Sequence, residues 1–278
     1  MQEKLIMYTS DETIIHRLSG LTKLIAFLLL TSAVMYTYDI RVIVAILFFS
    51  FFLMRVAKIR FSRVKLMFAY VFAFLVVNEI FTFLFAPMEG VKIFGTEHVL
   101  FFISKNYPVT LEQLFYQTTK FLKYVSVIPL GMIFLFTTNP SELASSLNKI
   151  GVNYKVAYAF ALTLRYFPDI QRAYTDISLA QQARGIDLSR KAKFKDRFKY
   201  ALLILIPLIF SSLERVEKIS NAMDLRGFGK YKKRTWYTSK KLTKEDYFAL
   251  LISTLILLSV VFIGVFVNKG RFYNPFKN

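Results

Sequence analysis

Two arginines occupy the same place in a nine-residue frame that the chain uses twice: Ile177-Ser178-Leu179-Ala180-Gln181-Gln182-Ala183-Arg184-Gly185 and Ile219-Ser220-Asn221-Ala222-Met223-Asp224-Leu225-Arg226-Gly227. A guanidinium is a rigid fork of donors, always charged, that pairs with carboxylates two bonds at a time. If each copy is a helix end, positions i, i+3 and i+7 share a face, so Ile177, Ala180 and Arg184 line up, as do Ile219, Ala222 and Arg226. Each stripe runs from a bulky apolar residue, through a small one, to a cation. Gly185 and Gly227 follow directly, where a left-handed residue closes a helix and leaves the cation at the negative end of the dipole. Arg-Gly at a helix end is also ordinary capping, but a cap needs only the glycine. The shared Ile, Ser, Ala and Arg specify a whole face, which suits recognition by a partner that presents carboxylates.

The elements that position these tips belong to a membrane protein. Of 278 residues, 55% are hydrophobic, with 30 Phe and 16 Tyr, and the long apolar runs show where the excess goes. The formal charge of +19 would suggest nucleic acid in a soluble chain. Here the basic residues cluster in particular loops, which reads as membrane orientation, and no nucleic-acid partner is expected. Cysteine is absent and the only histidines are His16 and His98, so neither a disulfide framework nor a metal site built on Cys or His is expected. The first apolar run follows a weakly basic start without a small-x-small cleavage signal and is taken as retained.

The pattern predicts five spans: Leu21 to Tyr38, Ile43 to Met54, Val64 to Ala86, one starting within Leu114 to Tyr124 and ending near Phe136, and Tyr247 to Val267. Arg55, Lys58, Arg60, Arg63 and Lys65, with no acid among them, place the second loop in the cytoplasm, and the amino terminus with it. The segment Pro87 to Thr110 balances Lys92 and Lys105 with Glu89 and Glu97 and reads as an outer loop. Thr138 to Asp246 holds 21 Lys or Arg against 10 Asp or Glu, and by the same rule is cytoplasmic. Three regions follow: 1–137 with four spans, 138–246 with the two Arg-Gly motifs, and 247–278 with the last span and a tail. The tail then lies outside, although its Lys269, Arg271 and Lys277 weigh against that.

Within 138–246, Thr138-Asn139-Pro140 is a helix start and Gly151 a stop. Tyr154 to Gly185 reads as helix interrupted at Pro168. The run Arg190, Lys191, Lys193, Lys195, Arg197, Lys199 reads as a solvated or headgroup-facing segment. Tyr200 to Leu213 is too short to span and reads as the buried part of a helix that continues to Gly227. Trp236, the one tryptophan, suits the headgroup level.

No catalytic constellation and no phosphate loop of the Gly-x-x-x-x-Gly-Lys type is present. Glu79, beside Asn78 in the third span, is the one intramembrane acid, and such a group is functional by default. Its alternative is structural, reaching headgroups near the span's outer end or pairing with Lys120 or Lys123.

With Leu164-Arg165-Tyr166-Phe167-Pro168, Ile206-Pro207-Leu208, Ser211-Ser212-Leu213, His16-Arg17-Leu18 and Thr137-Thr138-Asn139-Pro140, the paired Arg-Gly tips resemble the transmembrane T component of energy-coupling factor transporters, the EcfT/CbiQ family. The resemblance implies an all-α integral membrane protein with about five transmembrane helices and cytoplasmic coupling helices between the fourth and last span. It implies a multi-pass subunit of the bacterial cell membrane that joins two cytoplasmic ABC ATPases to a substrate-binding membrane protein, the S component, for uptake of a vitamin or transition-metal ion. No cofactor would bind this chain; ATP and Mg would be used by the partners. Ala183, Arg184, Gly185, Leu225, Arg226 and Gly227 would dock in the ATPases, with Ile177, Ala180, Ile219 and Ala222 as the supporting faces. Leu225 stands where the family usually has alanine, and Ser19-Gly20-Leu21 where Asp-Pro-Arg often follows. A lipid-modifying enzyme would call for more intramembrane acids or histidines, and a self-contained channel for polar stripes through several spans. The repeated tip is a feature only the coupling role requires.

Overall fold

The computed structural model describes residues 13–59, 61–104, 107–186, 194–231, 235–236 and 240–276. It is 77% helical. The described residues divide into two units, one of 140–239 and one of 13–139 with 240–276.

In the second unit the helices are α1 Ile14–Arg17, α2 Gly20–Tyr36, α3 Ile40–Val56, α4 Phe61–Phe85, α5 Glu89–Phe94, α6 Leu111–Thr137 and α10 Lys244–Phe262. Their starts are written in the sequence. Ser19, Asp39 and Thr110 each cap the following helix by accepting a backbone N–H, and Thr243 with Asp246 forms a capping box. All five expected spans appear as separate helices. Among the described residues three are long and apolar enough to cross a bilayer: Phe68–Phe85, Leu111–Thr137 and Lys244–Val267. The helices α2 and α3 have 17 residues each, about 25 Å, just short of a hydrocarbon core of about 30 Å.

α3 packs on α6 and α10 on α2. Ala33, Val34, Ile46 and Val260 form one buried cluster, and Met54, Met132 and Phe136 another. Lys23 is buried within this apolar frame, its Nζ donating to the carbonyl of Thr137, the last residue of α6, at 2.7 Å and to that of His16 at 3.0 Å. A cation there satisfies end carbonyls that have no intrahelical donor.

The segment after α4 is more ordered than a loop. α5 lies so close to α6 that a Cβ on Gly90 would stand 2.4 Å from the Glu112 carbonyl oxygen. Strands β1 Val99–Ser104 and β2 Tyr107–Thr110 then form an antiparallel hairpin. The fully buried Glu112 carboxylate accepts from the His98 backbone N–H at 3.0 Å and the Thr96 hydroxyl at 2.9 Å, and lies 2.6 Å from His98 Nδ1. The tail ends on the same face of the unit: Tyr38 N–H donates to the Arg271 carbonyl, Asn268 to Asp39, and Asn274 to the Phe94 carbonyl. The tail's Arg271 is accommodated over the Tyr36 ring, 5.4 Å from its centroid.

The other unit holds α7 Pro140–Lys149, α8 Tyr154–Ala183 and α9 Phe194–Leu225. Gly151 ends the α7 turn at φ 105°. Contrary to the sequence expectation, α8 runs unbroken through Pro168, as α9 does through Pro207. Nor is Tyr200 to Leu213 buried: Ile204 is, but Ile206, Ile209, Phe210 and Leu213 are exposed, and the stretch presents an apolar surface. The basic residues Arg190, Lys191 and Lys193 lie outside the described residues.

Candidate functional site

α8 and α9 form an antiparallel pair, registered at three points. Gln181 Nε2 donates to the Leu203 carbonyl at 3.2 Å. Arg215 reaches Asp169 at 3.8 Å. Phe228 packs on Tyr158 and Tyr154, with centroids 4.9 and 5.7 Å apart. The first contact follows from Pro207. Proline lacks the N–H that the Leu203 carbonyl, four residues earlier, would accept from, and the Gln181 amide takes its place.

Both Arg-Gly tips close in the same way. At the end of α8, Gly185 N–H donates to the Gln182 carbonyl and Ile186 N–H to that of Gln181; at the end of α9, Gly227 donates to Asp224 and Phe228 to Met223. Each is a Schellman closure with glycine in the left-handed region, φ 85° at Gly185 and 67° at Gly227. A Cβ on either glycine would meet nothing within 4 Å. The glycine requirement is therefore one of backbone conformation and not of space.

Arg184 and Arg226 are exposed, and neither has a carboxylate within 4.0 Å among the described residues. Ala183, Ala180 and Ala222 are exposed beside them, Ile177 and Ile219 half-buried, and Leu225 is 91% exposed. An isoleucine at the base of each stripe anchors it, and the small residue and the cation stand clear. Because the helices are antiparallel, the tips lie at opposite ends of the pair. From Leu203, beside the end of α8, to Leu225 is about 33 Å at 1.5 Å per residue.

The sequence reading missed two residues that fix these tips. Gln181 sits inside the first frame, and its signal was a carbonyl orphaned by Pro207. Phe228 follows the second Arg-Gly pair, in the position where an apolar residue commonly accompanies a Schellman closure. Trp236 donates to Asn148 Oδ1 at 3.0 Å and lies against Tyr158, so its N–H is used within the unit.

Glu79 belongs to the other unit and pairs with Lys120 at 3.4 Å, both side chains largely buried. Lys120 also donates to the Thr82 hydroxyl, and Gln117 to the Glu79 carbonyl. Of the two partners expected for Glu79, Lys120 is the one that meets it. A charge pair inside the apolar region is the arrangement that lowers the cost of either charge alone.

Residues 11–237 match the family model for CbiQ, described as cobalt transport protein. The chain is 27% identical to an energy-coupling factor transporter transmembrane protein of Exiguobacterium sibiricum, over 90% of this chain and 94% of that protein. It is 28% identical to the protein of that description from Streptococcus equi subsp. equi, over 95% and 96%. A Leuconostoc gelidum subsp. gasicomitatum protein of the same description is 33% identical over 50% of this chain and 56% of its own length.

Proposed function

Because the chain belongs to the CbiQ cobalt transport protein family, the transmembrane component of energy-coupling factor transporters, we propose that it couples ATP hydrolysis in two cytoplasmic ABC ATPases to a membrane S component. The observation that carries this reading is the pair of identically closed, arginine-bearing helix tips at opposite ends of one helical hairpin. Two equivalent cations about 33 Å apart cannot enter one carboxylate site, and they suit one groove on each of two similar subunits. Arg184 and Arg226 would pair with carboxylates there. Ala183, Ala180 and Ala222 would allow close approach, and Leu225 would make the second seat less close than the first.

In this reading the chain is a non-catalytic subunit. ATP and Mg belong to the ATPases, and the S component selects the cargo, a vitamin or a transition-metal ion. The Arg-Gly hairpin and the amino terminus face the cytoplasm of a bacterial cell, and the β1–β2 hairpin and the tail face outward. Glu79 serves as a neutralised structural pair with Lys120.

The test is co-purification with the ATPase subunits and ATP-driven uptake for the wild type, Arg184→Ala, Arg226→Ala and the double variant, each checked for membrane insertion. Each single change should weaken ATPase association, and the double change should abolish association and uptake. A double variant that keeps both ATPases and transports at the wild-type rate would reduce the tips to caps.

A further inference from the structure

An apolar furrow runs between α3 and α10. α3 packs on α6 and α10 on α2, Ile46 and Val260 share one buried cluster, and towards α1 the two helices part over a floor made by α2 and α6. On the floor Phe27 stacks on Phe134 with centroids 5.1 Å apart. The furrow holds two cavities that share Phe49: one of about 570 Å³ towards Asp39, and one of about 700 Å³ towards α1. The larger has the size of a small-molecule site. Its walls are apolar over most of their length, with Phe52 and Phe248 among them.

Its charged groups gather where α1 and α10 begin. Lys244 and Glu245 line that mouth, and the Ser19 N–H bond to Asp246, 2.8 Å, holds the start of α10 against the start of α2. Arg17 is exposed between Ile15 and Leu18, which line the cavity, and Arg55 and Lys58 are exposed beside Val56, which also lines it. None of Arg17, Arg55, Lys58 and Lys244 has a carboxylate within 4.0 Å among the described residues. Lys23 lines the cavity as well, but its ammonium is engaged by the Thr137 and His16 carbonyls.

We propose that this furrow binds an anionic phospholipid, with one acyl chain along the Phe27–Phe134 floor and the phosphate at Lys244 and Arg17. A long, mainly apolar slot, whose Ser253 hydroxyl is spent on its own helix and whose Lys23 ammonium is spent on carbonyls, opening at four cations and one carboxylate, is complementary to an amphiphile whose head is an anion. A partner's transmembrane helix would cover the same walls, but would give those cations a role only if it brought acids to that end. Each cation near the headgroup plane favours an anionic lipid by roughly fivefold.

The test uses the full chain in bilayers, with Trp236→Phe as background and a single reporter introduced as Phe248→Trp on the cavity wall. Leu251→Trp, at similar depth on α10, exposed and outside the cavity, reports bulk lipid. Quenching by brominated-acyl phosphatidylglycerol is compared with quenching by the matching phosphatidylcholine. A preference of about fivefold or more for phosphatidylglycerol is expected at the Phe248→Trp reporter, with near parity at Leu251→Trp. Lys244→Gln with Arg17→Gln should lower the first by about fivefold or more. Equal preference at both reporters, or a preference that the charge substitutions leave undiminished, overturns the site. So does quenching that vanishes when the partner subunits are added, which would assign the furrow to a protein helix.

Discussion

Lys123, on α6, donates to the carbonyl oxygen of Met35 at the end of α2, 2.7 Å away, with its ammonium 3.4 Å from the centroid of the Tyr38 ring. Lys23, on α2, does the same for the end of α6. Two antiparallel helices thus each lend the other a cation at the terminus where carbonyls lack donors. Inside a bilayer no water substitutes for that donor. Lys123→Met and Lys23→Met should each cost about 1–3 kcal/mol, read as a lower thermal midpoint of the purified protein. The sites are on the order of 18 Å apart along α2, so the double variant should show nearly the sum. A double variant no worse than the weaker single would show that the two contacts act as one.

The tips separate shape from recognition. Gly185→Ala and Gly227→Ala place a Cβ in open space but at positive φ, and each should cost about 1 kcal/mol through the backbone alone. Arg184→Ala and Arg226→Ala should leave the thermal midpoint unchanged, since neither guanidinium has an ion partner among the described residues. If the arginine changes melted the protein as the glycine changes do, the side chains would be structural.

Gly90→Ala should be more damaging than either tip glycine. Its Cβ would fall within 2.4 to 2.6 Å of Glu112 and Gln113 backbone atoms, which cannot swing aside as a flexible side chain would. The expected loss is about 1–3 kcal/mol or more, with proteolysis opening first in the segment 87–110.

Asp39 predicts a pH dependence. Burial pushes its carboxyl up, but hydrogen bonds from Arg41 and Asn268 outweigh burial and hold it below the usual carboxylate range. A depressed carboxylate contributes stability that is fully present above its unfolded pKa of about 3.9 and is lost as pH falls through the folded value. The gap in thermal midpoint between wild type and Asp39→Asn should therefore be constant from neutral pH to about 5 and close below about 4. A gap that widened on acidification would contradict the assignment.

Gln181→Leu should strand the Leu203 carbonyl that Pro207 leaves without a donor, loosening the α8–α9 pair. Restoring a backbone donor with Pro207→Ala in the same chain should recover most of the loss. Without that recovery, Gln181 would matter for some other reason.

Much of this was legible in the sequence because it is local. Ser19, Asp39, Thr110 and Thr243 announce helix starts, and the Arg-Gly pairs announce both ends. What was missed depends on partners distant in the chain. Pro168 read as a break, yet a long helix tolerates proline; at Pro207, inside a helix the sequence already carried through to Gly227, the freed Leu203 carbonyl is met by Gln181. The β1–β2 hairpin was hidden in a segment read only for its charge, although Val99 to Ile103 is β-branched and aromatic. Tyr200 to Leu213 was expected to be buried because it is apolar, whereas most of its large side chains are exposed. Glu79 could be given two candidate partners from sequence, but only geometry selects Lys120.

The opposite-ended placement of Arg184 and Arg226 also fixes the mechanics of the hairpin. Equal displacements in one direction at both ends translate the pair; opposed displacements turn it about its middle, near the Asp169–Arg215 contact. A load at one end alone necessarily does some of each. With a single tip lost, translation and turning can no longer be driven separately, so the change removes a choice of motion and not merely half of a grip.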